Sequence, residues 1–145
     1  MDDPVEIAAT LFAQSYNCSQ STFAAFAPRF GLDEKTALKL ASPFGGGMAR
    51  RGEVCGAVTG ALLALGLKEG AELPAQKDAI YRLAGEFLHR FQVEHGSLIC
   101  RDLIGCDLST PAGHQQAAEK QVFVTVCPAL VRDAARIAGS LLETV

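Results

Sequence analysis

The sequence contains no C-x-x-C pair, although five cysteines occur among its 145 residues. Thioredoxin-type dithiols and zinc ribbons use two cysteines at that spacing, so neither class of protein is indicated. The C-x-x-C-H sequence that attaches c-type haem is absent as well, which argues against a covalently bound haem of that type. Most of the cysteines lie tens of residues apart, so any chemistry that they share must be assembled by the fold.

Basic runs and long apolar runs are also absent. The formal net charge is -3 and no basic run extends beyond Arg50-Arg51, so nucleic-acid binding is not expected. The longest strongly apolar stretch, Val54 to Leu67, is shorter than the roughly 20 residues of a membrane-spanning helix. The first residues are acidic where a signal peptide needs a basic segment. We therefore expect a cytoplasmic protein without a membrane span.

The composition predicts one packed domain over residues 1–145. Hydrophobic residues make up 49% of the chain and charged residues 20%, which suits a globular core rather than disorder. Apolar residues recur at helical spacing and no strand pattern does, so we predict an all-α, irregular or orthogonal bundle of about six to seven helices. The segment from Val122 to Val126 is β-prone and is the one extended segment expected.

Helix start signals divide the chain. Predicted starts lie at Pro4, Asn17, Asp33, Gly52, Pro74, Ser97 and Pro128, and a further short helix is expected around residues 115–120. The stretch from Phe44 to Leu67 combines three glycines, two arginines and a cysteine that opens a run of small apolar residues. Gly52 is a plausible N-cap there, which would put Cys55 about three residues into a helix that ends near Gly66.

Gly56, Gly60 and Ala64 fall four residues apart on one face of this central helix. Nothing bulky stands on that face, so another helix can approach the backbone closely. We favour a seam packed inside the chain. The alternative is a non-catalytic interaction module whose seam packs a partner helix, including one from a second copy in a homodimer.

Four of the five cysteines fall at predicted helix N-termini, where unpaired N–H groups favour a thiolate. These four are Cys18, Cys55, Cys100 and Cys127. A cysteine at such a position has a lowered pKa, and its thiolate is both the reactive and the metal-binding form. Cys106 follows the helix stop at Gly105, where the dipole disfavours a thiolate. We expect Cys106 to be dispensable, the alternative being a resolving thiol for Cys100.

The leading hypothesis is a thiol-based redox protein in which Cys55 is the most activated thiolate. Its partner would be Cys18, Cys100 or Cys127. Gly45, Gly46, Gly47, Arg50 and Arg51 would form a small anion-accepting pocket beside it. The competing hypothesis uses Cys18, Cys55, Cys100 and Cys127 as four ligands of zinc or of an iron–sulfur cluster. We expect the protein to act with a redox partner or a small anionic ligand.

The three histidines, His89, His95 and His114, do not cluster in the sequence. Each is expected to have a surface or structural role. His95 lies at a predicted helix C-terminus, where a positive charge is favourable.

Four sequence blocks together carry a resemblance to a known family. Their order is N-C, F-G-G-G-M-x-R-x-G-E-V-C-G-A-V-T-G-A-L-x-A-L-G-L, C-R-D-L-I-G-C-D-L and C-P-x-L-V-R-D-A-A. They resemble the C-GCxxG-C-C family, whose name implies redox-active proteins, from about Asn17 to the final helix. The resemblance maps the family cysteines onto Cys18, Cys55, Cys100 and Cys127 and leaves Cys106 outside the pattern. It implies redox or metal chemistry at those four cysteines.

Overall fold

A computed structural model describes residues 2–143, which are 74% helical and contain no strand. The α-helices are α1 (Pro4–Ala13), α2 (Cys18–Phe26), α3 (Glu34–Ala41), α4 (Gly56–Glu69), α5 (Lys77–His95), α6 (Cys100–Ile104), α7 (Pro111–Glu119), α8 (Val122–Thr125) and α9 (Cys127–Glu143). Short 3-10 turns cover Ala27–Phe30, Ser42–Phe44 and Pro74–Gln76. The all-α prediction is confirmed, and the helix number is close to the predicted six to seven. None of the described helices is long and apolar enough to cross a membrane.

The first three helices begin where their capping residues predict. The Asp3 carboxylate accepts a hydrogen bond from the N–H of Val5 and starts α1. Asn17 starts α2 through a reciprocal capping box with Gln20. Asp33 starts α3 in the same way as Asp3. These side chains satisfy N–H groups that would otherwise lack partners, so the starts are set locally.

The central helix α4 begins later and ends later than predicted. Cys55, not Gly52, is its N-cap, and the helix continues past Gly66 to Glu69. The reason is tertiary, because residues 52–55 run antiparallel to residues 98–101 and the two segments exchange backbone hydrogen bonds. The N–H of Cys55 donates to Leu98 at 2.8 Å, which holds the chain extended up to the helix start.

The prediction of an extended segment at residues 122–126 is wrong. Residues Val122–Thr125 form the short helix α8, which follows Gln121 in a left-handed conformation with φ of 56°. β-branched residues favour strands when a neighbouring strand is present, and the structure offers this segment none. Val122 is instead buried in a small apolar cluster. Helix α7 also starts earlier than predicted, because Thr110 caps it.

The core is built around three helices, α2, α4 and α9, which pack against one another. Its largest fully buried side chains include Phe26 on α2, Leu65 on α4 and Ile137 on α9. A second, smaller buried cluster lies beside the main core. Its members are Cys100, Ile104, Cys106, Leu108, Ala117, Val122 and Cys127.

The small-residue seam of α4 packs inside the chain, against α2. A Cβ atom at Gly60 would lie 2.5 Å from the carbonyl oxygen of Ser19, and one at Gly56 would lie 3.0 Å from the Ser19 nitrogen. The two backbones can therefore meet only because these residues lack side chains. Helix α2 covers the seam, so a helix from a second copy has no access to it.

Candidate thiol site

The four cysteines singled out above all lie at helix N-termini, as predicted. Cys18, Cys100 and Cys127 are the first residues of α2, α6 and α9, and Cys55 is the N-cap of α4. The fold also brings them together. The Cys18 thiol interacts electrostatically with Cys55, Cys100 and Cys127, which share one region of the protein interior. All five cysteines are free thiols.

Backbone pairing brings Cys55 and Cys100 together. The segments 52–55 and 98–101 form an isolated antiparallel bridge between Val54 and Ile99. The N–H of Cys100 donates to the carbonyl of Glu53 at 2.6 Å. Because of these hydrogen bonds, the N-termini of α4 and α6 lie side by side. Cys55 and Cys100 therefore lie close to each other.

The glycine-rich loop before this bridge has an unusual backbone. Residues 46 to 50 all have positive φ, between 50° and 72°, and three of them are not glycine. Those three are Met48, Ala49 and Arg50. Positive φ costs such residues on the order of 1 kcal/mol or more each, so the surrounding structure must hold the loop. Its own backbone does so, since Arg50 donates to Gly45 and Glu53 donates to Gly47, both at 2.9 Å.

The three loop glycines each meet a different neighbour. A Cβ atom at Gly45 would lie within 3 Å of Asn17, and one at Gly46 would meet the backbone of Arg50. A Cβ atom at Gly47 would lie 2.7 Å from the Cβ of Cys100. The loop therefore packs directly against the thiol site, and the glycines permit that packing.

Cys18 and Cys127 are the two thiols of the site that are joined by a hydrogen bond. The Cys18 thiol donates a hydrogen bond to the Cys127 sulfur, which lowers the pKa of Cys127 and raises that of Cys18 well above its usual value. The donated hydrogen bond stabilises the anionic form of the acceptor. The proton of the pair therefore resides on Cys18, and Cys127 is the thiolate that forms first.

Cys55 is not the most activated thiolate, contrary to the expectation from its helix-start position. Burial is the largest effect and raises the pKa of Cys55 to about 11. The N–H groups of Ala57 and Val58 act in the opposite direction but do not compensate for the lost hydration. Burial likewise raises the pKa of Cys100 to about 12, with further contributions from Cys55 and Cys127. Both thiols stay protonated at neutral pH.

Access from solvent differs among the four thiols. Cys18 is half-buried, whereas Cys55, Cys100 and Cys127 are buried. Cys18 is therefore the residue of the four that keeps the largest exposed fraction.

The spacing of the thiols bears on metal binding. A tetrahedral zinc site with Zn–S bonds of about 2.3 Å places its sulfurs roughly 3.8 Å apart. Among residues 2–143, no three cysteine sulfurs lie within 4.8 Å of one another. Zinc would therefore need side-chain rotation to bind four of them. An iron–sulfur cluster binds its thiolates through different irons and suits the wider spacing better.

Cys106 lies just beyond α6 and is 4% exposed. It belongs to the same small buried cluster as Cys100 and Cys127. The helix-stop position predicted for it is confirmed by Gly105, which has φ of 70°. Its dispensability stays a prediction.

Two of the three histidines, His89 and His95, lie on α5. His89 is exposed, and His95 Nε2 lies 3.0 Å from an Asp133 carboxylate oxygen. Ligand atoms of Glu94, His95 and Asp133 lie within 4.8 Å of one another, as in a cation site. Arg136 contacts both carboxylates, at 2.6 Å and 3.6 Å, and already neutralises them. We therefore assign this group to an ion-pair network that joins α5 to α9.

Comparison with known proteins identifies the family. The family described as "Putative redox-active protein (C_GCAxxG_C_C)" matches residues 16–141. The chain belongs to this family. The matched range includes all four thiols and both segments of the antiparallel bridge. No curated protein and no solved structure matches the chain.

The family motif differs here in one respect. It names Gly-Cys-Ala-x-x-Gly, whereas the chain has Cys55 before Gly56, followed by Ala57-x-x-Gly60. A Cβ atom at Gly56 would lie 3.1 Å from the Cβ of Cys18. The exchanged glycine therefore lets the start of α4 approach the start of α2 at the thiol site.

Sequence reasoning missed two parts of this region. The Cys18–Cys127 hydrogen bond joins residues more than a hundred positions apart, and no local pattern marks it. The left-handed conformations of Met48, Ala49 and Arg50 were also missed, because only the preceding glycines signalled positive φ. The three consecutive glycines do not indicate that the positive φ angles continue through the next three residues.

The buried thiols predict that stability falls at alkaline pH. Below pH 9 the folded and unfolded chains both keep the Cys55 proton, so stability is at its full value. Between pH 9.0 and about 11 only the unfolded chain releases it, so the free energy of unfolding falls, by about 2 to 3 kcal/mol at the upper limit. Cys100 extends the loss to about pH 12.

Urea unfolding at pH 7, 9 and 10.5 would measure this effect. Cys55→Ala should flatten the decline, and Cys106→Ala is the matched control at a neighbouring buried cysteine. An equal slope in Cys55→Ala and the unaltered protein would contradict the assignment.

Proposed function

We propose that the protein is a dithiol–disulfide redox protein whose reacting pair is Cys18 and Cys127. The observation that supports this pair is the hydrogen bond between the two sulfurs, with the proton on the more exposed Cys18. The two helix starts that carry these thiols already place them within hydrogen-bond reach of each other. The family description agrees with redox chemistry in general and names no substrate.

The proposed reaction transfers two electrons from two external thiols to the protein disulfide. A thiolate attacks the Cys18 sulfur, the Cys18–Cys127 bond breaks, and Cys127 leaves as a thiolate. A second external thiolate then attacks the mixed disulfide and releases Cys18, which takes up one proton. Two thiols become one disulfide, and the protein disulfide becomes a thiol and a thiolate.

The direction of the pKa shifts favours this reaction. A leaving thiol of lower pKa leaves faster, so Cys127 is the better leaving group of the pair. The hydrogen bond that stabilises its thiolate exists only in the reduced protein, which makes the disulfide easier to reduce. Cys55 and Cys100 stay protonated and do not compete as nucleophiles.

Redox titration tests the proposal, with glutathione and its disulfide as the probe couple. After equilibration and acid quenching, peptide mapping should find a Cys18–Cys127 disulfide that forms and disappears reversibly. Cys127→Ala should abolish it, and Cys106→Ala should leave it unchanged. A dominant Cys100–Cys106 or Cys55–Cys100 disulfide would overturn the assignment, as would a folded protein that forms no disulfide over the whole titration.

A second candidate function is metal or cluster binding by Cys18, Cys55, Cys100 and Cys127. It is supported by the convergence of four thiols from four helix starts, where thiolates are favoured. A cation at their centre would offset the burial that now keeps Cys55 and Cys100 protonated. Anaerobic purification followed by elemental analysis separates the candidates. Stoichiometric iron or zinc that is lost in each single Cys→Ala variant of the four, but kept in Cys106→Ala, would favour this one.

A further inference from the structure

A cleft of about 680 Å³ lies between the glycine-rich loop and the start of α7. Its wall on one side is formed by Arg50 and Arg51, and on the other by residues around Thr110 and His114. Leu108 lines the cleft and also belongs to the small buried cluster that contains Cys100 and Cys127. The cleft therefore adjoins the thiol site without including it.

The charge of the cleft is entirely positive. No carboxylate lines it, although the whole chain carries 16 acidic and 13 basic residues. The Arg50 side chain makes no hydrogen bond or ion pair with any residue between 2 and 143. Arg51 lies 3.8 Å from Glu53, but both side chains are largely exposed, so this pair contributes little.

Asp107, which directly precedes the cleft residue Leu108, forms no ion pair with Arg50 or Arg51. One oxygen of the Asp107 carboxylate accepts hydrogen bonds from both the N–H and the hydroxyl of Ser109. Its electrostatic interaction is with Arg101, outside the cleft. The two guanidinium groups of Arg50 and Arg51 are thus available to an incoming ligand.

The helix start contributes little to this cleft. Pro111 has no N–H, and the N–H of Gly113 already donates to the Thr110 hydroxyl at 2.9 Å. Recognition would therefore fall to side chains, namely those of Arg50, Arg51 and His114. Hydrogen bonds fix the backbone at both arginines, since the N–H of Arg50 donates to Gly45 and the N–H of Arg51 donates to Met48 at 3.0 Å.

We infer that this cleft binds a small oxyanion that carries at least two negative charges. Guanidinium groups bind carboxylate and phosphate oxygens through paired hydrogen bonds, so two arginines match either a phosphate or a dicarboxylate. The sequence placed the loop glycines in such a pocket. Cβ atoms at these glycines would meet Asn17, Arg50 and Cys100, and of the predicted pocket residues only Arg50 and Arg51 line the cleft. The inference does not depend on the redox state of the thiols.

Isothermal titration of the reduced protein tests this, with inorganic phosphate, glutarate and the uncharged glutaramide as probes. We expect saturable binding of phosphate or glutarate, weakened by added salt, and no binding of glutaramide. Phosphate alone or glutarate alone would identify the class of anion. Arg50→Asn suits the left-handed position, which asparagine tolerates, and Arg51→Gln removes the second charge. Each should weaken binding about tenfold.

Arg82→Gln is the matched control, because Arg82 is an exposed arginine on α5 that does not line the cleft. It should bind the anion as the unaltered protein does. The inference is overturned if neither anion binds saturably, or if glutaramide binds equally well. It is overturned as well if Arg82→Gln weakens binding as much as Arg50→Asn does. Circular dichroism checks that each variant remains folded, and a folded Arg50→Asn/Arg51→Gln variant with unchanged affinity would also contradict it.

Discussion

Replacing Gly60 with alanine is expected to lower the free energy of unfolding by about 3 kcal/mol. The added Cβ would lie 2.5 Å from the carbonyl oxygen of Ser19 and 3.0 Å from the Cβ of Thr22. The first of these is a backbone atom of α2, which cannot rotate away as a flexible side chain would. The helices must therefore separate, and the close packing of α2 on α4 is lost.

Gly66→Ala in the same helix is the matched control. No atom lies within 4 Å of a Cβ at Gly66, so the substitution meets open space. Alanine is the better helix former, and we expect a gain of about 0.5 to 1 kcal/mol. Urea unfolding followed by circular dichroism measures both variants. A loss at Gly60 no larger than the change at Gly66 would show that the seam is not closely packed.

Alkylation of Cys55 at neutral pH is expected to be about a hundredfold slower than that of an unfolded cysteine, from its pKa alone. Burial raises that pKa from 9.0 to about 11, and each unit reduces the thiolate fraction tenfold. Only the thiolate is the nucleophile, so the rate follows its fraction. The rate should keep rising tenfold per pH unit up to pH 9 and beyond.

Pulsed iodoacetamide labelling with peptide mapping would resolve the five cysteines. Cys127 is the internal comparison, because its pKa is lowered and its rate should level off at a lower pH than that of Cys55. The comparison of pH profiles is independent of how easily the reagent reaches each sulfur. A Cys55 rate that levels off below pH 9 would restore the activation expected from its helix-start position.

Local sequence signals made the helical fold predictable. The helix boundaries that these signals did not predict are determined by tertiary contacts. Asp3, Asn17 and Asp33 each satisfy N–H groups within four residues, so the sequence alone marks those helix starts. The start of α4 is different, because it depends on pairing with a segment more than 40 residues later. The same holds for α8, where the absence of a neighbouring strand overrides β propensity.

The candidate site was predictable in position but not in chemistry. Helix N-termini can be read from the chain, and this reading selected the four cysteines that the fold brings together. The helix dipole predicted a lowered pKa for Cys55, but burial has the larger effect and raises that pKa. Burial and the Cys18–Cys127 contact both arise from packing between distant helices, so the sequence could not rank the thiols.

The four thiols of the site come from four separate helices, so the site forms only when those helices have packed together. Cys18 and Cys127 are more than a hundred residues apart, so the site forms only after a loop of that length has closed. Any partial opening that detaches α2 or α9 dismantles it. A disulfide across that loop would remove on the order of 4 to 5 kcal/mol of chain entropy from the unfolded state. The oxidised protein would thus resist unfolding more than the reduced one, and its resistance to proteolysis would report the redox state.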